Sequence, residues 1–190
     1  VSENNDRTAI IRRKGRHAYN LERIAGYNTM ELVGRISRII HNENPKNVFI
    51  DCIGLGAGVV DRLKEKGFHC VEGINVARRA NDKEKYANQR AEIWGWMKDW
   101  LYGDMPVQIP KEELLATEIC SLGFKENSSG QIKIESKDEL KKRGMPSPDG
   151  ADALALTFCG GYYGHDSHQI EPTRLSNFET ISSKVFFSML

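Results

Sequence analysis

The run Asn47-Val-Phe-Ile50 ends on Asp51 and is followed at once by the turn Gly54-Leu-Gly-Ala-Gly58. A short apolar run without alternation reads as a strand buried on both faces, and such strands belong to sheets covered by helices on both sides. A helix then runs through Val59, Val60 and Leu63 to Gly67, whose freedom at positive φ suits a C′ position. Phe68 to Val76 reads as the next strand. A strand–helix–strand unit thus stands in the first half of the chain.

The segments around it extend that reading. Thr8 to Arg13 and Arg16 to Ala25 read as a hairpin turning at Gly15. Asn28 with Glu31 three residues on has the form of a capping box, and Leu32, Val33, Ile36, Ile39 and Ile40 recur at helical spacing. Glu84 to Tyr102 is the longest helical pattern, with Trp94, Trp96 and Trp100 as packing residues. Pro106 to Ile109 reads as a short strand, Lys111 to Leu122 as a helix, and Phe124 with Ile132 to Ile134 as a late hairpin. Lys137 to Arg143 forms a short charged helix. Ser147-Pro148-Asp149 opens the last core helix, with proline at its first position and an acid beside it. Strands alternating with helices after an initial hairpin predict an α/β fold with a mixed central sheet flanked by helices on both faces. The expected organisation is one domain over residues 1–162 and a tail over 163–190, mobile or docking on a partner.

Composition excludes several classes. Lys plus Arg number 27 and Asp plus Glu 26, so net charge names no partner. The uncharged stretch Ala153 to His165 is too short for a membrane span of about 20 residues. Cys52, Cys70, Cys120 and Cys159 lack the spacing of a zinc site or a disulfide frame. No phosphate-binding loop of the Gly-x-x-x-x-Gly-Lys-Ser/Thr kind and no Gly-x-Ser-x-Gly elbow occurs. The Gly54–Gly58 run departs from the dinucleotide fingerprint at Val59. It reads as a tight strand-to-helix turn.

Three features carry candidate chemistry. Asp51 lies beyond the carboxyl end of a buried strand, where α/β sheets bind ligands; an acid there also suits a turn or helix cap. Asp149 and Asp152 share one side of a helix start. Two neighbouring carboxylates repel unless a cation sits between them or one takes a proton, although the helix macrodipole alone accounts for an acid at that end. Local positive charge is the third. Ile11–Ile24 holds five Lys/Arg against one acid, Val76–Arg90 five against two, and Lys137–Arg143 four against two. Such runs bind phosphate backbones or form solvated faces. The last of them stands just before Asp149, setting cations for DNA beside acids for a metal.

Taken together, Val48-Phe-Ile-Asp51 with Gly54-Leu-Gly-Ala-Gly-Val-Val-Asp61-Arg-Leu, Tyr86-Ala-Asn-Gln-Arg-Ala-Glu-Ile-Trp94, Ser136-Lys with Lys142-Arg-Gly144, and Ser147-Pro-Asp-Gly-Ala-Asp-Ala-Leu154 resemble the nuclease domain of the large terminase subunit of tailed bacteriophages. The resemblance covers roughly positions 6 to 160. It implies a ribonuclease H-like fold and metal-dependent endonuclease cleavage of double-stranded DNA, cutting concatemeric phage genomes during packaging in the cytoplasm of the infected host. By motif match, Asp51, Asp149 and Asp152 are the catalytic, metal-binding acids for Mg²⁺ or Mn²⁺ in a two-metal site. Lys137, Lys141, Lys142 and Arg143, with Arg78 and Arg79, are the DNA-binding residues. The implied partners are an ATPase motor domain, the small terminase subunit and the portal. The family carries a further acid on a first strand, upstream of a segment like Asp6-Arg7-Thr8, and this chain starts after that position. Two rival readings stay open: a related junction resolvase or transposase-like nuclease, and a non-catalytic module docking on DNA or a packaging partner.

Overall fold

The computed structural model describes residues 7–160 and 184–189. Strands β1 (Arg7–Lys14) and β2 (His17–Ala25) form the expected antiparallel hairpin. Their register slips between Ile10 and Arg12, where β2 holds an extra residue and Asn20 takes a left-handed φ of 49°, as bulges do. Helix α1 (Thr29–Glu43) opens on the predicted capping box: Asn28 Oδ1 accepts from Met30 N and Glu31 N, and Glu31 returns a bond from Asn28 N. Strand β3 (Val48–Asp51), helix α2 (Gly56–Glu65) and strand β4 (Val71–Ile74) form a parallel crossover unit.

Helix α3 spans Gln89–Tyr102, five residues shorter at its start than the apolar periodicity suggests. Asn88 is extended and caps the helix through Ala91 N. Residues 81–88 instead form a loop held by the fully buried Glu92, whose carboxylate accepts from Asn81 N, Asn81 Nδ2 and Asp82 N. Pro106 to Ile109 forms no strand; it contributes a single bridge, Gln108 to His17. Then come α4 (Glu113–Ser121), the small hairpin β5 (Phe124–Glu126) and β6 (Ile132–Ile134), α5 (Lys137–Lys142) and α6 (Asp149–Leu156).

The last strand, β7 (Lys184–Met189), lies within the expected tail region. It enters the middle of the main sheet, giving the order β2-β1-β7-β3-β4, antiparallel to β1 and parallel to β3. Each face of that sheet is covered. Ile10, Val48, Ile50 and Val71 bury against Leu32, Val33 and Ile36 of α1 and Val59, Val60 and Leu63 of α2. Ala9, Ile11, Phe49 and Ile74 bury against Ile93, Met97 and Trp100 of α3 and Ala151 to Leu156 of α6. Fully burying an aliphatic or aromatic side chain contributes about 1.5–3 kcal/mol. Two such layers set the helix that carries Asp149 and Asp152 on the same face of the sheet as Asp51.

Candidate active site

Asp51 closes β3 and is 8% exposed. The chain leaves the strand through Gly54 at a φ of 71° and enters α2 at Gly56. A Cβ on Gly56 would lie 1.8 Å from the Asp51 carbonyl oxygen, so only glycine lets the helix start this close to the strand end. The glycine-rich run is therefore the tight turn expected of it. Asp51 Oδ1 accepts from Ile53 N at 3.1 Å. Burial pushes the Asp51 carboxyl up, against the Ile53 N–H and the Lys137 ammonium, which hold it down.

Asp152 sits in the first turn of α6. The Arg90 guanidinium donates to its Oδ1 from Nε at 3.2 Å and from NH2 at 3.0 Å, and to Oδ2 from NH2 at 3.2 Å. Trp94 Nε1 donates to the same Oδ1 at 2.8 Å. Trp94 thus does more than pack its helix: its indole N–H holds a site acid. Asp149 is buried, and its Oδ1 has no hydrogen-bond partner among the described residues. Its carboxyl is pushed up to about 6, chiefly by burial; the Ser147 hydroxyl and the Lys137 ammonium oppose the shift, and the nearby Glu118 and Asp152 add to it.

Lys137 opens α5 beneath its own capping box, Ser136 with Glu139. Its ammonium feels all three acids: burial lowers its pKa, while Asp152, Asp149 and Asp51 raise it. Asp51, Asp152, Arg90 and Lys137 together line an open cleft of about 540 Å³, with Ala77 and Ser136 on its walls. Asp149 is not part of that lining. Among the described residues, no three acids, histidines or cysteines close into a ready-made metal cage. The acids face cations instead, so the cluster is charge-compensated as it stands.

A second layer orients α6. Glu118, 2% exposed, accepts from Ala151 N at 3.0 Å and from Arg23 NH1 at 2.8 Å. Arg23 is held in turn by Glu112. A Cβ on Gly150 would meet Arg23 at 2.6 Å and Glu118 at 2.8 Å, so the clamp closes on a glycine. A carboxylate bound to a first-turn N–H also complements the positive end of the helix macrodipole.

The basic residues divide into two groups. Arg78, Arg79, Lys141 and Lys142 are exposed. Arg143 is engaged: it donates to Glu135 at 2.7 and 2.6 Å and to the Ser121 carbonyl at 2.8 Å.

No family model matches the sequence, and no curated protein matches it. Solved structures do. The nuclease domain of the large terminase subunit of bacterial virus Sf6 superposes with a TM-score of 0.66 at 19% identity, covering 80% of this chain and 81% of that one. A mutant of that domain, solved with manganese and beta-thujaplicinol, gives 0.67 at 17% identity over 82% and 83%. The large terminase nuclease from thermophilic phage G20c, with bound magnesium, gives 0.54 at 18% identity over 76% and 68%. The chain has the fold of a terminase nuclease domain. That is the ribonuclease H-like architecture the motifs implied.

Within this fold, sequence reasoning passed over Arg90, Trp94, Glu118 and Arg23 as site residues. Arg90 and Trp94 were within reach, because both belong to the Tyr86–Trp94 motif. Arg23 and Glu118 carry no local signal: they stand 95 residues apart and meet only through the fold. Among the described residues, no helix is long and apolar enough to cross a membrane.

Proposed function

We propose that this chain is the nuclease domain of a phage large terminase subunit and cuts double-stranded DNA with Mg²⁺ or Mn²⁺. The observation that carries this reading is the shared cleft: Asp51 from the end of β3 and Asp152 from the start of α6 line one opening, with Asp149 buried in the same helix turn. The donor set fits the metals. Carboxylate oxygens are hard ligands, and Mg²⁺ commonly takes one or two of them, completing its shell with water and substrate phosphate. The unpartnered Asp149 Oδ1 is an oxygen of that kind. Asp51, Asp149 and Asp152 would hold the metal, a pair of ions when DNA is bound. The chemistry supplied there would be a lowered pKa of the attacking water and stabilisation of the leaving oxygen.

The chain's own residues supply the rest. Arg90 and Trp94 fix the Asp152 carboxylate in one orientation. Lys137 compensates the acids and is placed to meet a phosphate oxygen entering the cleft. The exposed Arg78 and Arg79 follow the cleft residue Ala77, and Lys141 and Lys142 follow Lys137, so basic charge leads away from two walls. These side chains hold phosphates without reading bases, so cutting is weakly sequence-specific and salt-sensitive. The substrate in this reading is a concatemeric phage genome, with an ATPase motor, the small terminase subunit and the portal as packaging partners in the host cytoplasm.

The test is nicking of supercoiled plasmid with Mn²⁺, with a chelator as control, for the wild type and Asp51→Asn. Metal-dependent nicking that Asp51→Asn abolishes is the expected result. Equal cutting by the variant overturns the assignment. A branched-DNA series run alongside, if cut in preference to linear duplex, would favour a resolvase; metal-independent binding without cleavage would favour a docking module.

A further inference from the structure

We infer that the cavity beneath the β5–β6 hairpin is a second ligand site, taking a planar aromatic molecule with one anionic group, and that Trp94 couples it to the acid cluster. The coupling rests on the nuclease reading above; the site itself does not.

The hairpin roofs helix α3. Ile132 N donates to the Lys85 carbonyl and Ala87 N to the Ile132 carbonyl, which fastens β6 to the loop before that helix. Ile132 and Ile134 flank the exposed Lys133, and Phe124 pairs with Ile134. Residues along a strand alternate between faces and paired residues share one, so these three apolar side chains fall on a single face. Between that face, Trp94 and Met97 of α3, and Ile119 of α4 lies a cavity of about 400 Å³. Drug-sized ligands fill pockets of about 300–1,000 Å³.

The lining selects the ligand. Its uncharged side chains are aliphatic, aromatic or a thiol, with no amide, serine or threonine among them. A sugar or a nucleobase would leave polar edges unpaired there. Two lysines, Lys85 and Lys98, stand against one acid, Asp99. Both ammonium groups lie over rings, Lys98 over Phe124 at 5.6 Å and Lys85 over Tyr86 at 5.1 Å. Lys98 and Phe124 are exposed. A ring seated inside and an anionic group outside, against Lys98, complement this arrangement.

Trp94 is shared by the two sites. Its side chain lines the cavity, while its Nε1 donates to Asp152 Oδ1 at 2.8 Å. A ligand packed against the indole displaces that N–H and, through it, the carboxylate.

The probe is anilinonaphthalene sulfonate, titrated onto the full chain and followed by its own emission, with deoxyadenosine monophosphate as competitor. One molecule should bind per chain. Lys98→Glu, a surface change, should weaken binding by about fivefold. Leu122→Trp, which fills the cavity, should abolish it, and the nucleotide should displace nothing. In a nitrogen–proton correlation spectrum the probe should move the indole signal of Trp94, assigned with Trp94→Phe, and leave that of Trp100. Mn²⁺-dependent nicking should slow as the probe saturates wild type and stay unaffected in Leu122→Trp. Several weak sites, equal binding by wild type and Lys98→Glu, displacement by the nucleotide, or an unmoved Trp94 signal overturns the inference. So does probe binding that falls as protein concentration rises, which would mark the cavity as a contact between copies of the chain. The nuclease reading fails separately: probe binding without any Mn²⁺-dependent nicking sinks that reading and leaves the site, whereas nicking without probe binding sinks the site alone.

Discussion

Replacing Arg90 by Met removes the guanidinium and keeps an unbranched apolar stem. Arg90 makes three contacts to Asp152 at 3.0–3.2 Å and donates to the Glu135 carbonyl at 3.0 Å. The two side chains are only 16% and 10% exposed. Breaking a pair this deep strands the remaining charge and typically costs about 3–5 kcal/mol. Trp94 Nε1 stays on Asp152 and the cleft admits water, which sets the expectation at the lower end, about 3 kcal/mol. Asp152→Asn keeps a polar partner for Arg90 and should cost about 1–2 kcal/mol. If pairing is the cause, the double variant is less destabilised than the sum, with a coupling of about 2 kcal/mol. Urea denaturation with a chelator present measures all four species. Additive losses, agreeing within about 0.5 kcal/mol, would show that Arg90 acts through packing alone.

Three further outcomes follow from the same geometry. An acid whose folded pKa is about 6 against an ordinary 3.8 favours folding when protonated, and that contribution is lost as pH rises through about 6. Metal-free Asp149→Asn should therefore match wild type near pH 4 and exceed it at pH 8 by up to about 3 kcal/mol; parallel stability–pH curves would remove burial of this charge as the cause, with Lys137, Glu118 and Asp152 as the charges facing it. Gly56→Ala forces the β3–α2 turn apart and should cost about 1–3 kcal/mol, with nicking lost together with the Asp51 position; a calorimetric melt unchanged from wild type would contradict the 1.8 Å approach. Glu92→Ala releases the loop bearing Lys83 and Lys85, so limited trypsin digestion should cut there first, and an unchanged digestion pattern would show that Glu92 does not anchor it.

Local patterns in the chain were sufficient for most elements, because a capping box, a 3.6-residue stripe or an apolar run ending in glycine acts over a few residues. Asn28 with Glu31, the β3 run and the Gly54–Gly58 turn all appear where their chemistry placed them. Helix α3 starts later than its apolar stripe predicts because the loop before it is anchored at Asn81 and Asp82 by Glu92, a side chain inside the helix itself. The acids Asp51, Asp149 and Asp152 were visible as unusual residues in apolar company, but their partners were not. Arg90 lies 62 residues from Asp152 and Arg23 lies 95 from Glu118, and no propensity spans such distances.

The tertiary structure alone settled β7. Val185-Phe-Phe is an apolar run at the end of an otherwise polar tail, and nothing nearby in the chain says what it pairs with. Its place depends on the slot between β1 and β3. Ala9, Ile10, Ile11, Val48, Phe49 and Ile50 there are fully buried, and backbone N–H and C=O groups at such depth require partners. A strand inserted there satisfies both edges at once.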